Sequence, residues 1–143
     1  QMDHNLVHPK LSMISGNQFI ANPQFQEEVF GPFSLVVKCK NLQELEQVIN
    51  HLEGQLTGSI FAKADDYDLI QPLIQAFKSK VGRLLFNDVP TGVEVSAAMT
   101  HGGPYPAASD SRFTAVGPDS IYRWIRPITY QNWPEELLTK LIN

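Results

Sequence analysis

Apolar positions along this chain switch between a period of two and a period near 3.6, and the switching predicts most of its elements. Phe33, Leu35, Val37 and Cys39 alternate with Ser34, Val36 and Lys38, which predicts a strand over 33–39. Asn41 then stands as a helix cap with Glu44 as its capping-box partner, and Leu42, Leu45, Val48, Ile49 and Leu52 share one helical stripe. Gly54 is the natural stop. Residues 59–62 (Ser-Ile-Phe-Ala) predict a second strand. Asp65 or Asp66 opens a second helix that buries Leu69, Ile70, Leu73, Ile74 and Phe77. Pro72 inside that pattern predicts a kink or a late start, and Lys78 and Lys80 suit the negative helix end. Residues 81–86 predict a third strand, and Leu11 to Ile14 a short one ended by Ser15-Gly16-Asn17.

Strand, helix, strand, helix, strand implies the α/β class, with a mainly parallel sheet flanked by helices. Ligands in such sheets gather beyond the carboxyl ends of strands, which directs attention to Asn87-Asp88. Regular patterning stops from Val89 to Gly117, where Thr100-His101-Gly102-Gly103-Pro104-Tyr105-Pro106 is too rich in Gly and Pro for a helix or strand interior. A loop of this length in a compact domain tends to be functional. Pro118-Asp119-Ser120 predicts a short helix carrying Ile121, Tyr122 and Trp124, residues 126–131 resemble a strand, and Glu135 to Ile142 predict a closing amphipathic helix. Pro127 suits an edge or strand-start position.

Composition narrows the function classes. At 143 residues, 43% hydrophobic and 18% charged, the chain reads as a single segment able to form a core. A net charge of −4 without a basic cluster argues against a nucleic-acid partner. No apolar run approaches the roughly 20 residues of a membrane helix. Gln1-Met2-Asp3-His4 lacks the basic and apolar regions of a signal peptide, and one cysteine forms no intrachain disulfide, so a reducing cytoplasm is expected. His4 and His8 have a helical metal-ligand spacing, but Pro9 and the want of a third ligand favour two exposed histidines. No metal site is expected.

Neither a GxGxxG fingerprint, nor a phosphate-binding GKS/T loop, nor a Gly-x-Ser-x-Gly elbow is present. Cys39 is in phase with Phe33, Leu35 and Val37, which predicts a buried, inert thiol with Lys38 and Lys40 on the opposite face. In Gln26-Glu27-Glu28-Val29-Phe30-Gly31-Pro32, two carboxylates and an aromatic precede a Gly-Pro break. Such a carboxylate can accept two hydrogen bonds from a vicinal diol, and a nearby ring can cover a flat ligand face. The same residues also read as a solvated acidic loop.

Glu27-Glu28-Val29-Phe30-Gly31-Pro32 resembles the Glu-x-Phe-Gly-Pro motif of NAD(P)-dependent aldehyde dehydrogenases, and the similarity runs from about Pro9 to about Pro134. The resemblance implies that Glu28 binds the nicotinamide-ribose hydroxyls of NAD or NADP and that Phe30 packs against the nicotinamide end. Where most members carry aromatic-Gly-Gly-x-Lys-x-Ser-Gly and then an arginine, this chain has His101-Gly102-Gly103-Pro104-Tyr105-Pro106-Ala107-Ala108-Ser109-Asp110-Ser111-Arg112. Following Asn87-Asp88-Val89-Pro90-Thr91-Gly92-Val93, that form resembles the branch of 2,5-dioxopentanoate (α-ketoglutarate semialdehyde) and bacterial NADP-dependent fatty aldehyde dehydrogenases.

The resemblance implies that His101 takes the place of the aromatic lining the substrate tunnel. A histidine there can hydrogen-bond an oxygen-bearing substrate or carry charge, which favours the dioxo acid; alternatively it bonds loop backbone. Arg112 reads either as a bidentate partner for a substrate carboxylate or as a tie to loop carbonyls. Trp124 and Trp133 read as packing or interface residues.

Aldehyde dehydrogenases form a cysteine thiohemiacetal, transfer hydride to the nicotinamide and hydrolyse the thioester with a glutamate-activated water. The family's nucleophile and that glutamate precede the matched segment, so no residue here inherits a catalytic role. The chain is expected to be the C-terminal part of the catalytic domain of a longer polypeptide, inactive by itself, and a first residue of Gln1 agrees with coding sequence upstream. Residues 126–131 would be the strand that joins a partner subunit in a dimer or tetramer. Cut from the rest of its chain, the segment should expose apolar surface and self-associate. The rival expectation is a non-catalytic α/β binding or assembly module that keeps the scaffold without the chemistry.

Overall fold

The computed structural model describes residues 7–92 and 95–142. β1 (Lys10–Ser15) leads into α1 (Gly16–Ala21) and a 3₁₀ turn at Pro23–Gln26, followed by β2 (Phe33–Lys38) and α2 (Leu42–His51). β3 (Gln55–Ile60) is followed by a 3₁₀ turn at Ala64–Asp66, α3 (Gln71–Lys78) and β4 (Val81–Phe86). A third 3₁₀ segment, Pro118–Arg123, and α4 (Glu135–Ile142) complete the described chain.

The class is α/β, as the periodicity predicts, but the described strands form two short parallel pairs instead of one sheet. β1 pairs with β2 from Lys10↔Phe33 to Ser15↔Lys38, and β3 pairs with β4 from Gln55↔Val81 to Ile60↔Phe86. Alternation specifies which face of a strand is buried and says nothing of which neighbour it takes. Residues 126–131 join no ladder among the described residues. A strand there needs an edge from outside the described residues, because backbone pairing requires a partner.

Local chemistry sets the helix ends. Asn41 Oδ1 accepts from Glu44 N at 2.9 Å, the expected cap. The reciprocal bond shifts by one residue, with Lys40 N donating to Glu44 Oε2 at 2.5 Å. Glu44 is buried, and its charge is compensated laterally. With the Asn17 amide oriented to satisfy both neighbours, its nitrogen donates to Glu44 Oε1 at 3.1 Å and its oxygen accepts from Lys40 Nζ at 3.2 Å. Pro72 produces the late start: it sits in the first turn of α3, where the missing N–H costs nothing.

The pattern missed α1. Ser15, Gly16 and Asn17 look like a strand terminator, yet Ser15 and Gln18 form a capping box that opens a helix there. Gly54 also plays a different part. α2 ends on Leu52, and Gly54 lacks the positive φ of a helix stop. Its N–H donates to Tyr105 O at 3.2 Å, and a Cβ at this position would overlap the Pro104 carbonyl.

The core lies between α2, α3 and β3, built from Ile49, Ile60, Ile70, Leu73 and Ala76, with Leu45, Ile74 and Phe77 packed around it. No large side chain is fully buried among the described residues, and Phe30, Trp124 and Tyr105 are 90%, 82% and 81% exposed. Apolar exposure on this scale marks a surface made to be covered. Trp133 packs edge-on against Tyr130 at 5.1 Å.

Gly82, the second residue of β4, lies so close to the Gly102 carbonyl that a Cβ would overlap it. Gly82→Ala should therefore force strand and loop apart, at a cost of about 1–3 kcal/mol. Urea denaturation checks this; an unchanged midpoint would show that the loop moves aside freely.

Candidate functional site

The Glu-bearing turn is placed by β1, α1 and one long-range bond. Gln26 Oε1 accepts from Glu53 N at 2.8 Å, which fastens the end of the 3₁₀ turn to the segment after α2. The Pro32 carbonyl accepts from Lys10 N at 2.9 Å and secures the far side of the turn on β1. Between these anchors Glu27 and Glu28 face Glu53 and the amino end of β3 across an open cleft of about 730 Å³. Its other wall is Pro106 and Ala107 of the Gly/Pro-rich loop.

His101 lines a second cleft, of about 540 Å³, with Leu56, Phe113, Asp110 and Arg123. Its backbone is fully used: His101 N donates to Thr114 Oγ1 and Ala115 N donates to His101 O, both at 2.9 Å. Thr114 is buried, and its hydroxyl in turn donates to Val116 O at 2.8 Å. The imidazole makes no hydrogen bond to any described residue, so the backbone-tying alternative for His101 is not what the structure adopts. The two clefts share Leu56 and Ala107 as a common wall. Two sequence-distant candidates, Glu28 and His101, are thus brought to adjoining spaces at the amino end of β3.

Phe30 is not. Its ring stands exposed and lines neither cleft. Asn87 also departs from expectation. It adopts φ 50°, its Oδ1 accepts from Ala62 N and its Nδ2 donates to Ala62 O, each at 2.9 Å. The side chain is consumed in clamping the carboxyl ends of β3 and β4 together, opposite the clefts. The rule that ligands gather at carboxyl ends does not locate this site, because the Gly/Pro-rich loop folds back over the amino ends. Val93, in the same stretch, lies outside the described residues, as does His4; His8 is exposed.

Cys39 is half-buried and its thiol pKa is raised, first by burial and then by the nearby Glu44 carboxylate. Both effects oppose the thiolate, in keeping with an inert cysteine. Arg112 takes neither expected role: its fork grips Asp110, with Nη2 to Oδ2 at 2.6 Å and Nε to Oδ1 at 2.9 Å. Sequence spacing missed Gln26 as an anchor and Arg123 as a cleft residue, since both act across long separations with no local pattern.

Glu28, with no hydrogen bond to the described residues, leaves two carboxylate oxygens in an open cleft, able to accept hydrogen bonds from the hydroxyls of a ligand. Glu27 and Glu53 beside it would repel phosphates, and no phosphate cradle is present.

Residues 19–108 match the aldehyde dehydrogenase family, and the chain belongs to that family. It is 48% identical over 125 residues to alpha-ketoglutaric semialdehyde dehydrogenase 2 of Azospirillum brasilense, an alignment covering 87% of this chain and 24% of that protein. It is 47% identical over 121 residues to alpha-ketoglutaric semialdehyde dehydrogenase of Acinetobacter baylyi, covering 85% of this chain and 23% of the relative. A 1-pyrroline-5-carboxylate dehydrogenase of Bacillus licheniformis is 36% identical over 96 residues, covering 67% of this chain and 17% of that protein. The chain spans about a quarter of the length of the first two relatives.

Hydrogen bonds from Arg112, first to the Asp110 side chain through the guanidinium and then through its backbone N–H, lower the Asp110 pKa from 3.8 to about 2. A depressed carboxylate pKa means that the pairing is complete above pH 3.8 and is lost as pH falls through about 2. Carboxyl ¹³C NMR titration should find Asp110 near 2, and Arg112→Gln should return it toward 3.8. Titration near 3.8 in the unaltered protein would show the fork to be open in solution.

Proposed function

We propose that this chain is the C-terminal part of the catalytic domain of an NAD(P)-dependent aldehyde dehydrogenase, acting within a longer polypeptide to oxidise α-ketoglutarate semialdehyde to the acid. One observation carries the reading: the cleft holding Glu28 and the cleft holding His101 meet at Leu56 and Ala107. A cofactor end and a substrate end must touch for hydride to pass, and adjoining spaces satisfy that requirement. Identity of nearly half over most of the chain to two dehydrogenases named for this substrate supports the choice of aldehyde.

In this reading Glu28 accepts hydrogen bonds from the ribose hydroxyls and so fixes the nicotinamide ring's position, and Phe30 covers the ring once the chain's exposed surface is closed by the rest of the protein. The cofactor, when bound, supplies the hydride acceptor. His101 walls the substrate space with a polar ring that suits an oxygen-bearing chain better than a fatty tail. Cys39 takes no part, and the nucleophile belongs to another part of the polypeptide. Residues 126–131 supply a strand to a partner subunit of a homo-oligomer, and the enzyme works in the cytoplasm.

In the full-length enzyme Glu28→Gln, which keeps the shape and removes the charge, should slow single-turnover hydride transfer about 10–100-fold, the worth of a charge-assisted hydrogen bond. Unchanged single-turnover kinetics would remove Glu28 from the site. His101→Phe should shift the ratio of kcat/KM values from α-ketoglutarate semialdehyde toward decanal by about 2–10-fold, given the roughly 0.5–1.5 kcal/mol of a neutral hydrogen bond. An unaltered ratio would take His101 out of the substrate wall.

A further inference from the structure

The cleft beside His101 carries two formal charges of opposite sign, Asp110 and Arg123, and only one of them is neutralised. Asp110 is gripped by Arg112, whose Nε donates to both carboxylate oxygens, at 2.9 and 3.2 Å, and whose Nη2 donates to Oδ2 at 2.6 Å. The side chain of Arg123, at the end of the 3₁₀ segment Pro118–Arg123, has no hydrogen bond or ion pair with any described residue. Asp119, four residues earlier, lines a different cleft together with Arg126. The space next to His101 therefore presents an unpaired guanidinium beside Leu56, Phe113 and three alanines. An apolar wall strengthens a charge pair by lowering the local dielectric, and a guanidinium fork matches a carboxylate.

We propose that Arg123 is the specificity-determining residue for a substrate carboxylate, holding the acid end of an oxo-acid aldehyde. This rests on the substrate class of the proposed function. Arg123 and His101 share one cleft, and that cleft opens at Leu56 and Ala107 toward the one containing Glu28. A short chain with its carboxylate on Arg123 passes its keto oxygen beside His101 and reaches the shared wall with its aldehyde end. Arg112 serves this arrangement at one remove: by engaging Asp110 it keeps that carboxylate from capturing Arg123. Uncharged aldehydes gain nothing from Arg123, so its contribution falls on carboxylated substrates alone.

The test compares α-ketoglutarate semialdehyde with pentanal in the full-length enzyme and its Arg123→Gln and Arg123→Lys variants. Arg123→Gln should lower kcat/KM for the oxo acid about 10–100-fold, mainly through KM, and leave pentanal within about twofold. Arg123→Lys, which keeps the charge without the fork, should fall between, and it carries the test should Arg123→Gln fail to fold. Competitive inhibition by glutarate, a dicarboxylate with no aldehyde, should weaken by the same factor. Equal losses on both substrates, or undiminished turnover of the oxo acid with unchanged glutarate inhibition, would overturn the role of Arg123. Wild-type enzyme that prefers pentanal to the oxo acid would instead overturn the substrate reading itself. Wild-type preference for the oxo acid with an unaffected Arg123→Gln variant would overturn the Arg123 assignment alone.

Discussion

The arrangement depends on a close approach of backbone to backbone. The run from Gly102 to Tyr105 lies directly on the amino ends of β3 and β4, where Gly54 and Gly82 leave no Cβ in the way. A single hydrogen bond, Gly54 N to Tyr105 O, fastens the contact, and sterics supply the rest. Any side chain at Gly82 would lift the loop from β4, and with it His101 and the Pro106–Ala107 wall of the neighbouring cleft. The glycines thus act on the site without belonging to it.

Polar groups in the chain divide into those committed to structure and those left available. Glu44 is buried and satisfied by Lys40 N and by Asn17, so it welds α1 to α2. Asn87 is spent on Ala62, Gln26 on Glu53, and Asp110 on Arg112. Glu28, the His101 imidazole and Arg123 have no such partners among the described residues, and all three line the adjoining clefts. Exposed or half-buried polar groups left without protein partners stay available to a ligand, and these three lie along two clefts that share a wall.

The surface gives a parallel indication of incompleteness. Phe30, Trp124 and Tyr105 are almost fully exposed, and each parallel pair of strands has edges without a partner in the described chain. A chain that covers about a quarter of its relatives would present such faces to the remainder of a longer protein. The aromatic motif residue Phe30 therefore has no defined neighbour here, whereas Glu28, fixed through Gln26, already faces its cleft.

Elements whose causes are local can be read directly from the chain. β2 and β4 follow from alternation and strand-forming residues, α2 from its apolar stripe and the Asn41 cap, α3 from its stripe with Pro72 setting a late start, and α4 from its own amphipathic pattern. Motif resemblance singled out Glu28 and His101, which the structure places on adjoining clefts, and strand phase predicted an inert Cys39, whose thiol pKa is raised. α1 escaped because Ser-Gly-Asn serves equally as a turn and as a capping sequence, and a local pattern cannot separate the two. The tertiary structure adds the pairing of the strands, the fold-back of the loop over their amino ends, and the placing of Glu28 and Arg123 on two clefts that share Leu56 and Ala107. These rest on contacts between residues far apart in the chain, such as Gln26 with Glu53 and Gly82 with Gly102. Periodicity records which face of an element is apolar; it holds no record of which distant backbone will lie against it.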